Sequence, residues 1–338
     1  MAVTRSTLRT VTTITPQRLS FVGGGTDLPS FYQQHGGAVV STTIDKYIYV
    51  TVKRHSPLFT EAYRLSYSKT EHVQSLEDIE NDVARECLRL VHVEPPLFIA
   101  TASDLPALSG LGSSSSFAVG LLYALHTLRG ENVSAGQLAE EACHVEIEML
   151  RRPIGKQDQY AAAFGGLNCI SFEKNGRVQL DPLWLPGDGA GTLFRNSMLF
   201  WTGMQREAGD ILQEQNDRVE EKAATLMQMR DMVAECKTAL LSGTEDPARF
   251  AALLDAGWRA KRTLASKITT SKIDEAYAAA LAAGALGGKI AGAGGGGFFY
   301  LVVPPERRDS VRAALPGMTD VNISYEPRGA RILATVDG

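Results

Sequence analysis

The sequence predicts a two-domain α+β protein, and three observations carry that prediction. The chain has 338 residues, against about 150 for a typical domain. Stretches rich in Val, Ile, Thr and Tyr are mixed with helical patterns in both halves. Pro182, Pro186 and the glycines between 187 and 191 break the composition, dividing the chain into segments 1–185 and 190–338.

In the first segment, Thr10–Ile14 and Leu19–Val22 read as β on either side of Pro16, and Ala38–Val52 reads as β again. Asp78–Val91 looks helical and Leu97–Ala102 is a short strand. Ser116–Leu128 is apolar on nearly every face, which predicts a buried helix. Ser134 and Gln137 form a capping-box pattern that starts a helix running to about Arg151. Leu167–Phe172 is a strand, followed by a turn at Asn175–Gly176. In the second segment the strand Ser197–Thr202 precedes helical stretches near 208–241, 247–266 and 272–283. Asp246–Pro247 and Ser271 are helix starts, and Gly284 is a stop. A strand, a glycine loop, the strand Phe298–Val303, a helix over Pro305–Ala314 and two strands close the chain. Met227, Met229 and Met232 read as core fillers.

Composition removes several classes. Basic residues number 34 and acidic residues 38, a net charge of −4, so there is no basic footprint for nucleic acid or an anionic membrane. No apolar run reaches the roughly 20 residues of a membrane-spanning helix. Cys87, Cys143, Cys169 and Cys236 are scattered without zinc spacing and read as thiols in a reducing cytosol. Arg5 and Arg9 lie among threonines with no apolar core, a solvated lead-in to the first strand rather than a secretory signal.

The sharpest local signal is Pro106-Ala-Leu-Ser-Gly-Leu-Gly-Ser-Ser-Ser-Ser116, opening into the buried helix. A helix N-terminus presents unpaired N–H groups and partial positive charge. Gly110 and Gly112 let those donors approach an anion, and four serines add hydroxyls, the design of a phosphate cradle. A plain N-capped helix needs only one serine. Rival signatures fail: no Gly-Lys-Ser/Thr triplet occurs, and the G-x-G-x-x-G of Gly292, Gly294 and Gly297 is followed by a strand pattern where a dinucleotide site requires a helix.

Two carboxylates stand out. At helical spacing, Glu146 shares a face with Ala139, Ala142, Cys143, Met149 and Leu150, whereas Glu148 shares one with charged residues. Glu146 therefore points inward and needs a metal ion or a Lys or Arg partner. Asp158, in Gly155-Lys-Gln-Asp-Gln-Tyr160, can accept or orient a hydroxyl proton, or can cap a helix over 159–164.

Together these residues resemble the GHMP small-molecule kinase superfamily, named for galactokinase, homoserine, mevalonate and phosphomevalonate kinases. Three motifs, from about Thr15 to Val303, carry the resemblance. Thr15-Pro-Gln-Arg-Leu-Ser-Phe-Val-Gly-Gly-Gly-Thr-Asp27 resembles the sugar-contacting first motif, Pro106–Ser116 the ATP phosphate loop, and Lys289–Phe298 the glycine-rich third motif. Gly23–Asp27, Gly155–Gly166, Thr202-Gly-Met-Gln-Arg206 and Trp258-Arg-Ala-Lys261 look most like the heptose 7-phosphate kinase branch. Galactokinases have Gly-Glu-His-Thr-Asp where this chain has Gly23-Gly-Gly-Thr-Asp27, which argues against galactose. The second motif departs at Leu108, which stands where glycine is usual.

The resemblance implies a ribosomal protein S5 domain 2-like N-terminal domain and a ferredoxin-like C-terminal domain with extra helices. It implies a cytoplasmic enzyme that transfers the γ-phosphoryl group of ATP, with Mg²⁺, to the anomeric hydroxyl of D-glycero-α-D-manno-heptose 7-phosphate. Asp158 and Arg18 would be catalytic. Pro106, Ser109, Gly110, Leu111, Gly112, Ser113, Ser114, Ser115 and Ser116 would hold ATP, with Ser114 and Glu146 on the metal. Gly24, Gly25, Thr26, Asp27, Gly155, Lys156, Gln157, Arg206, Lys261, Gly292, Gly294 and Gly295 would contact the sugar phosphate, Arg206 and Lys261 leading the cations for its dianion. Thr60–Ser75 is the expected adenine side by analogy. Partners would be the sugar phosphate and ATP, with no nucleic acid and no membrane. The alternatives are an anomeric kinase of an unphosphorylated fucose- or galactose-like sugar, and a non-catalytic sensor on the same fold.

Overall fold

A computed structural model of the chain describes residues 8–56, 58–205, 209–243 and 246–337. The start of the N-terminal lead-in and Arg206 lie outside these residues. The elements are β1 (Leu8–Val22), α1 (Pro29–His35), β2 (Gly37–Arg54), β3 (Tyr63–Ser66), β4 (Thr70–Val73), α2 (Asp82–Val91), β5 (Leu97–Ser103) and α3 (Ser113–Arg129). Next come α4 (Ala135–Cys143), a π-helical turn (His144–Met149), α5 (Gln157–Phe164), β6 (Leu167–Phe172), β7 (Val178–Pro182), α6 (Gly189–Arg195) and β8 (Ser197–Trp201). The chain ends with α7 (Gly209–Asp217), α8 (Val219–Leu241), α9 (Ala248–Lys261), α10 (Ser271–Ala282), β9 (Gly287–Ile290), β10 (Phe298–Val302), α11 (Arg308–Ala314), β11 (Thr319–Val321) and β12 (Arg331–Asp337).

One sheet runs β12-β1-β2-β5-β3-β4, with β6 on the other half of β2 and β7 beyond it. β1 passes straight through Pro16, where two strands were expected. Its ladder with β2 slips between Pro16 and Gln17, which face Tyr47 and Ile44. Proline has no N–H to give, so a bulge is where a strand tolerates it. Helix α3 lies against this sheet with Leu121, Leu122, Leu125 and Leu128 fully buried, each contributing about 1.5–3 kcal/mol. A side chain at Gly120 would come within 2.7 Å of Thr15 Oγ1, so only glycine lets helix and strand pack this closely.

The second sheet has the order β11-β8-β10-β9, all antiparallel. Numbered along the chain that order is 4-1-3-2, the ferredoxin-like arrangement, with α7–α10 inserted after its first strand. The predicted helix over 208–241 is two helices, α7 and α8, and the α10 cap is Thr270, one residue before the expected Ser271. β12 returns to the first sheet and pairs with β1. Among the described residues no helix is long and apolar enough to cross a membrane.

Candidate active site

The N-terminus of α3 has no side-chain cap despite its four serines. Gly112 precedes it at φ 76°, and the first turn closes from Ser116 N–H to Gly112 C=O. The amides of Ser113, Ser114 and Ser115 come before that bond, on the open end of the helix dipole. Ser113, Ser114 and Ser115 line an open cleft, about 1350 Å³ with open solvent counted, together with Gly110, Gly112, Glu146, Asp158 and the glycines at 292, 294 and 296. Gly110 and Gly292 abut: a side chain at Gly110 would come within 2.6 Å of Ala291 C=O.

Glu146 sits in the π-helical turn that continues α4, fully buried, while Glu148 is exposed. The inward direction read from helical spacing holds, although the backbone there is wider than an α-helix, a feature frequent at functional sites. Glu146 accepts from Ser114 Oγ (2.6 Å) on Oε1, and from Ser115 Oγ (2.6 Å) and Gln159 Nε2 (2.7 Å) on Oε2. Arg152 Nη1 reaches Oε1 at 3.2 Å and Ser114 Oγ at 2.8 Å, so the cationic partner exists as well. Glu146 and Ser114 nonetheless put a carboxylate and a hydroxyl oxygen side by side on the cavity wall. Mg²⁺ takes one or two carboxylates and fills its shell with phosphate and water oxygens, so this donor set fits it.

Asp158 does not cap α5. The helix begins at Gln157 with Lys156 at the cap position, and the Asp158 side chain meets Arg18 of β1. Arg18 Nε and Nη2 each donate at 2.7 Å to a different carboxylate oxygen, and Nη1 donates to Gly110 C=O at 2.6 Å. One buried guanidinium thus ties the glycine loop to the carboxylate.

A second cleft, about 540 Å³ with open solvent counted, shares this pair and is lined by Gly24, Gly25, Asp27, Gly155, Gln157, Lys261 and Lys289 among others. Arg18, Ile154, Asp158, Leu212, Gly292 and Ala293 line both cavities. Burial pushes the Asp27 carboxyl up, the charge of Asp158 adds to it, and the amides of Gly25 and Gln157 pull it back. Gly155 is required here, since a side chain would lie 2.0 Å from Asp27 Oδ2. Burial lowers the Lys261 ammonium to about 8. Its Nζ donates to Gly292 C=O at 2.6 Å.

The match to known proteins spans both halves of the chain. The family model of the GHMP kinases N terminal domain covers residues 63–166, and that of the GHMP kinases C terminal covers 232–318. D-glycero-alpha-D-manno-heptose 7-phosphate kinase of Campylobacter jejuni is 32% identical over 85% of this chain and 87% of its own. The chain is a GHMP kinase. Among solved structures, a D-glycero-D-manno-heptose 1-phosphate kinase from Bacteriodes thetaiotaomicron superposes with TM-score 0.78 at 27% identity, over 96% of this chain and 99% of that one. Galactokinase of Lactococcus lactis complexed with galactose superposes with TM-score 0.75 at 17% identity, over 96% and 95%, a likeness of fold. The protein is therefore a phosphotransferase, a sugar kinase of the GHMP family, and the family uses ATP.

Within this GHMP kinase the residues expected at the site divide into two groups. Arg18, Gly24, Gly25, Asp27, Gly110, Gly112, Ser113, Ser114, Ser115, Glu146, Gly155, Gln157, Asp158, Lys261, Gly292 and Gly294 line one cavity or both. The other described ones lie off these walls, and Arg206 falls outside the described residues. The Thr26 hydroxyl bonds Gly23 C=O, Ala38 C=O and Ala38 N–H, within the turn. Lys156 points to Gly176 C=O and Glu140. Ser116 Oγ bonds Pro16 C=O, Leu111 belongs to the hydrophobic core, and Gly295 N–H is held by Ile268 C=O. Pro106 is exposed and Ser109 buried, both off the cavity walls, as is Thr60–Ser75, expected on the adenine side. Sequence reasoning missed Ser20, Leu212, Gln215 and Lys289 on the walls and Gln159 behind Glu146. Lys289 opens the third motif and was within reach; its Nζ donates to the carbonyls of Ser20 and Phe21. Gln215 carries no local signal.

Proposed function

We propose that this GHMP kinase phosphorylates the anomeric hydroxyl of D-glycero-α-D-manno-heptose 7-phosphate, using ATP and Mg²⁺, to give the 1,7-bisphosphate. The observation that carries the reading is the meeting of two cavities at Arg18 and Asp158. The larger one, with the open amides of α3, suits the nucleotide phosphates. The smaller one, with Asp27, Gln157 and Lys261, suits a polyhydroxylated anion.

Phosphoryl transfer asks mainly for positioning and charge neutralisation. Asp158 takes the proton of the attacking hydroxyl as its oxygen bonds to the γ-phosphorus and the bond to the β-phosphate oxygen breaks, releasing ADP. Arg18 fixes Asp158 through both oxygens and adds positive charge where the transferred group passes. The amides of Ser113–Ser115 hold phosphate oxygens. Glu146 and Ser114 would hold Mg²⁺, which neutralises phosphate charge when bound. Lys261 stands ready for the acceptor's anion. An ATP-dependent reaction of this kind is expected in the cytoplasm. We also keep the division at 185–190 as a proposal, with β12 added to the first unit because it pairs there.

The relatives differ in name, one a heptose 7-phosphate kinase and the other a heptose 1-phosphate kinase. A coupled ADP-release assay over heptose 7-phosphate, heptose, heptose 1-phosphate, fucose and galactose separates these readings. The expected kcat/KM for heptose 7-phosphate exceeds that of every other sugar by about tenfold or more, one missing charged contact being worth that much. Equal or faster turnover of heptose 1-phosphate or an unphosphorylated sugar overturns the proposal.

A further inference from the structure

The smaller cavity holds polar groups that have no partner among the described residues. Gln215 is 1% exposed, and neither its Oε1 nor its Nε2 has a hydrogen-bond partner among the described residues. Ser20 Oγ and Gln157 Oε1 are buried and unpartnered too, and all three residues line this cavity. They come from separate elements: β1, the first turn of α5, and α7. The glycines between them leave the room. A side chain at Gly24 would meet Ser20 Oγ at 3.4 Å, Gln157 Nε2 at 3.8 Å and Lys261 Nζ at 3.9 Å, and one at Gly25 would meet Gln215 Nε2 at 2.4 Å. Polar ends thus converge on a space kept clear of carbon.

An unpaired buried amide costs free energy, and native proteins rarely carry one without a use. An amide offers one donor and one acceptor side by side, which matches neighbouring sugar hydroxyls that each donate and accept. Helix α7 is placed for this. Gly209 and Leu212 line the larger cavity, Leu212 and Gln215 the smaller, so residues at a spacing of three present one face to both.

We propose that Gln215 is a specificity-determining residue that hydrogen-bonds acceptor hydroxyls, with Ser20 and Gln157 completing the polar set. This rests on the smaller cavity being the acceptor site. The acceptor class it selects is a polyol, and an acceptor lacking the paired hydroxyl loses most of its affinity because the amide then stays unpaired.

The test is Gln215→Met, nearly the same size without the amide. Measured on whichever sugar of the panel the wild type turns over best, the acceptor KM is expected to rise about tenfold or more. The KM for ATP should stay within about twofold and kcat within about threefold, with melting temperature equal or higher because an unsatisfied group has gone. An acceptor KM within about twofold of wild type overturns the inference. If Gln215→Met does not accumulate folded, Gln215→Leu, which also lacks the amide, carries the same comparison with the same two outcomes. Failure of the heptose 7-phosphate reading shows instead in the wild type, as turnover of a different sugar. If no sugar is turned over, calorimetric binding of the panel to wild type and variant decides, and equal or absent binding overturns the inference.

Discussion

Arg18 holds Asp158 through both carboxylate oxygens at 2.7 Å, across 140 residues of sequence, at the boundary between two cavities. The same guanidinium anchors Gly110 C=O, so this carboxylate and the glycine loop share one support.

Asp158→Asn should lower kcat by about 10²–10⁴-fold, the usual span for losing a proton acceptor. ATP affinity, measured by calorimetry, should stay within about threefold. Arg18→Lys keeps a charge but loses the fork and should also lose kcat. Turnover within about twofold of wild type in Asp158→Asn would remove the mechanism.

Glu146→Gln keeps the shape that Ser115 and Gln159 hold but removes the charge. The Mg²⁺ concentration for half-maximal rate should rise about 10–100-fold, a common effect of weakening a metal site. A titration superimposing on wild type would leave Glu146 as a structural partner of Arg152, Gln159 and the serines, with no metal role.

Lys261 predicts a pH dependence. Burial lowers its ammonium to about 8, Asp27 and Asp158 oppose the fall, and Arg18 adds to it. The charge is present below that value and lost above it, so the acceptor KM should climb as pH passes through about 8. Lys261→Met should start with a high KM and show no such climb. Stability moves the other way: between about 8 and 10.5 the unfolded chain binds the extra proton, so the folded state gains as pH rises. A KM profile that is flat in the wild type rules out an anion contact by Lys261.

Leu108 stands at φ 58°, half-exposed, in the left-handed region that costs an L-residue about 1–2 kcal/mol. Glycine removes that strain and adds about 0.5–1 kcal/mol of unfolded-state entropy. Leu108→Gly should therefore equal or exceed wild-type stability by up to about 1 kcal/mol in chemical denaturation, while Leu108→Val should lose stability. A clear loss in the glycine variant would show that the leucine side chain makes a stabilising contact.

Much of the site was legible because its signals are local. A serine run before a buried helix, an acid on an apolar face and glycines where backbones touch are all patterns within about ten residues. Where such patterns misled, a long-range contact had intervened. The Thr26 hydroxyl is engaged by Ala38, and Lys156 turns to Glu140 and Gly176. Pro16 looked like a strand break until β2 bulged to accept it.

Local reading of the sequence settles the α+β class, the buried helix opened by glycines and serines, and the inward Glu146, because periodicity and helix-end chemistry depend on neighbouring residues. Only the tertiary structure decided that Asp158 faces Arg18 instead of capping its helix, that Gln215 enters the smaller cavity, and that β12 joins the first sheet. Each is a contact between residues far apart in the chain, selected by packing and hydrogen-bond satisfaction, and nothing in local spacing encodes it.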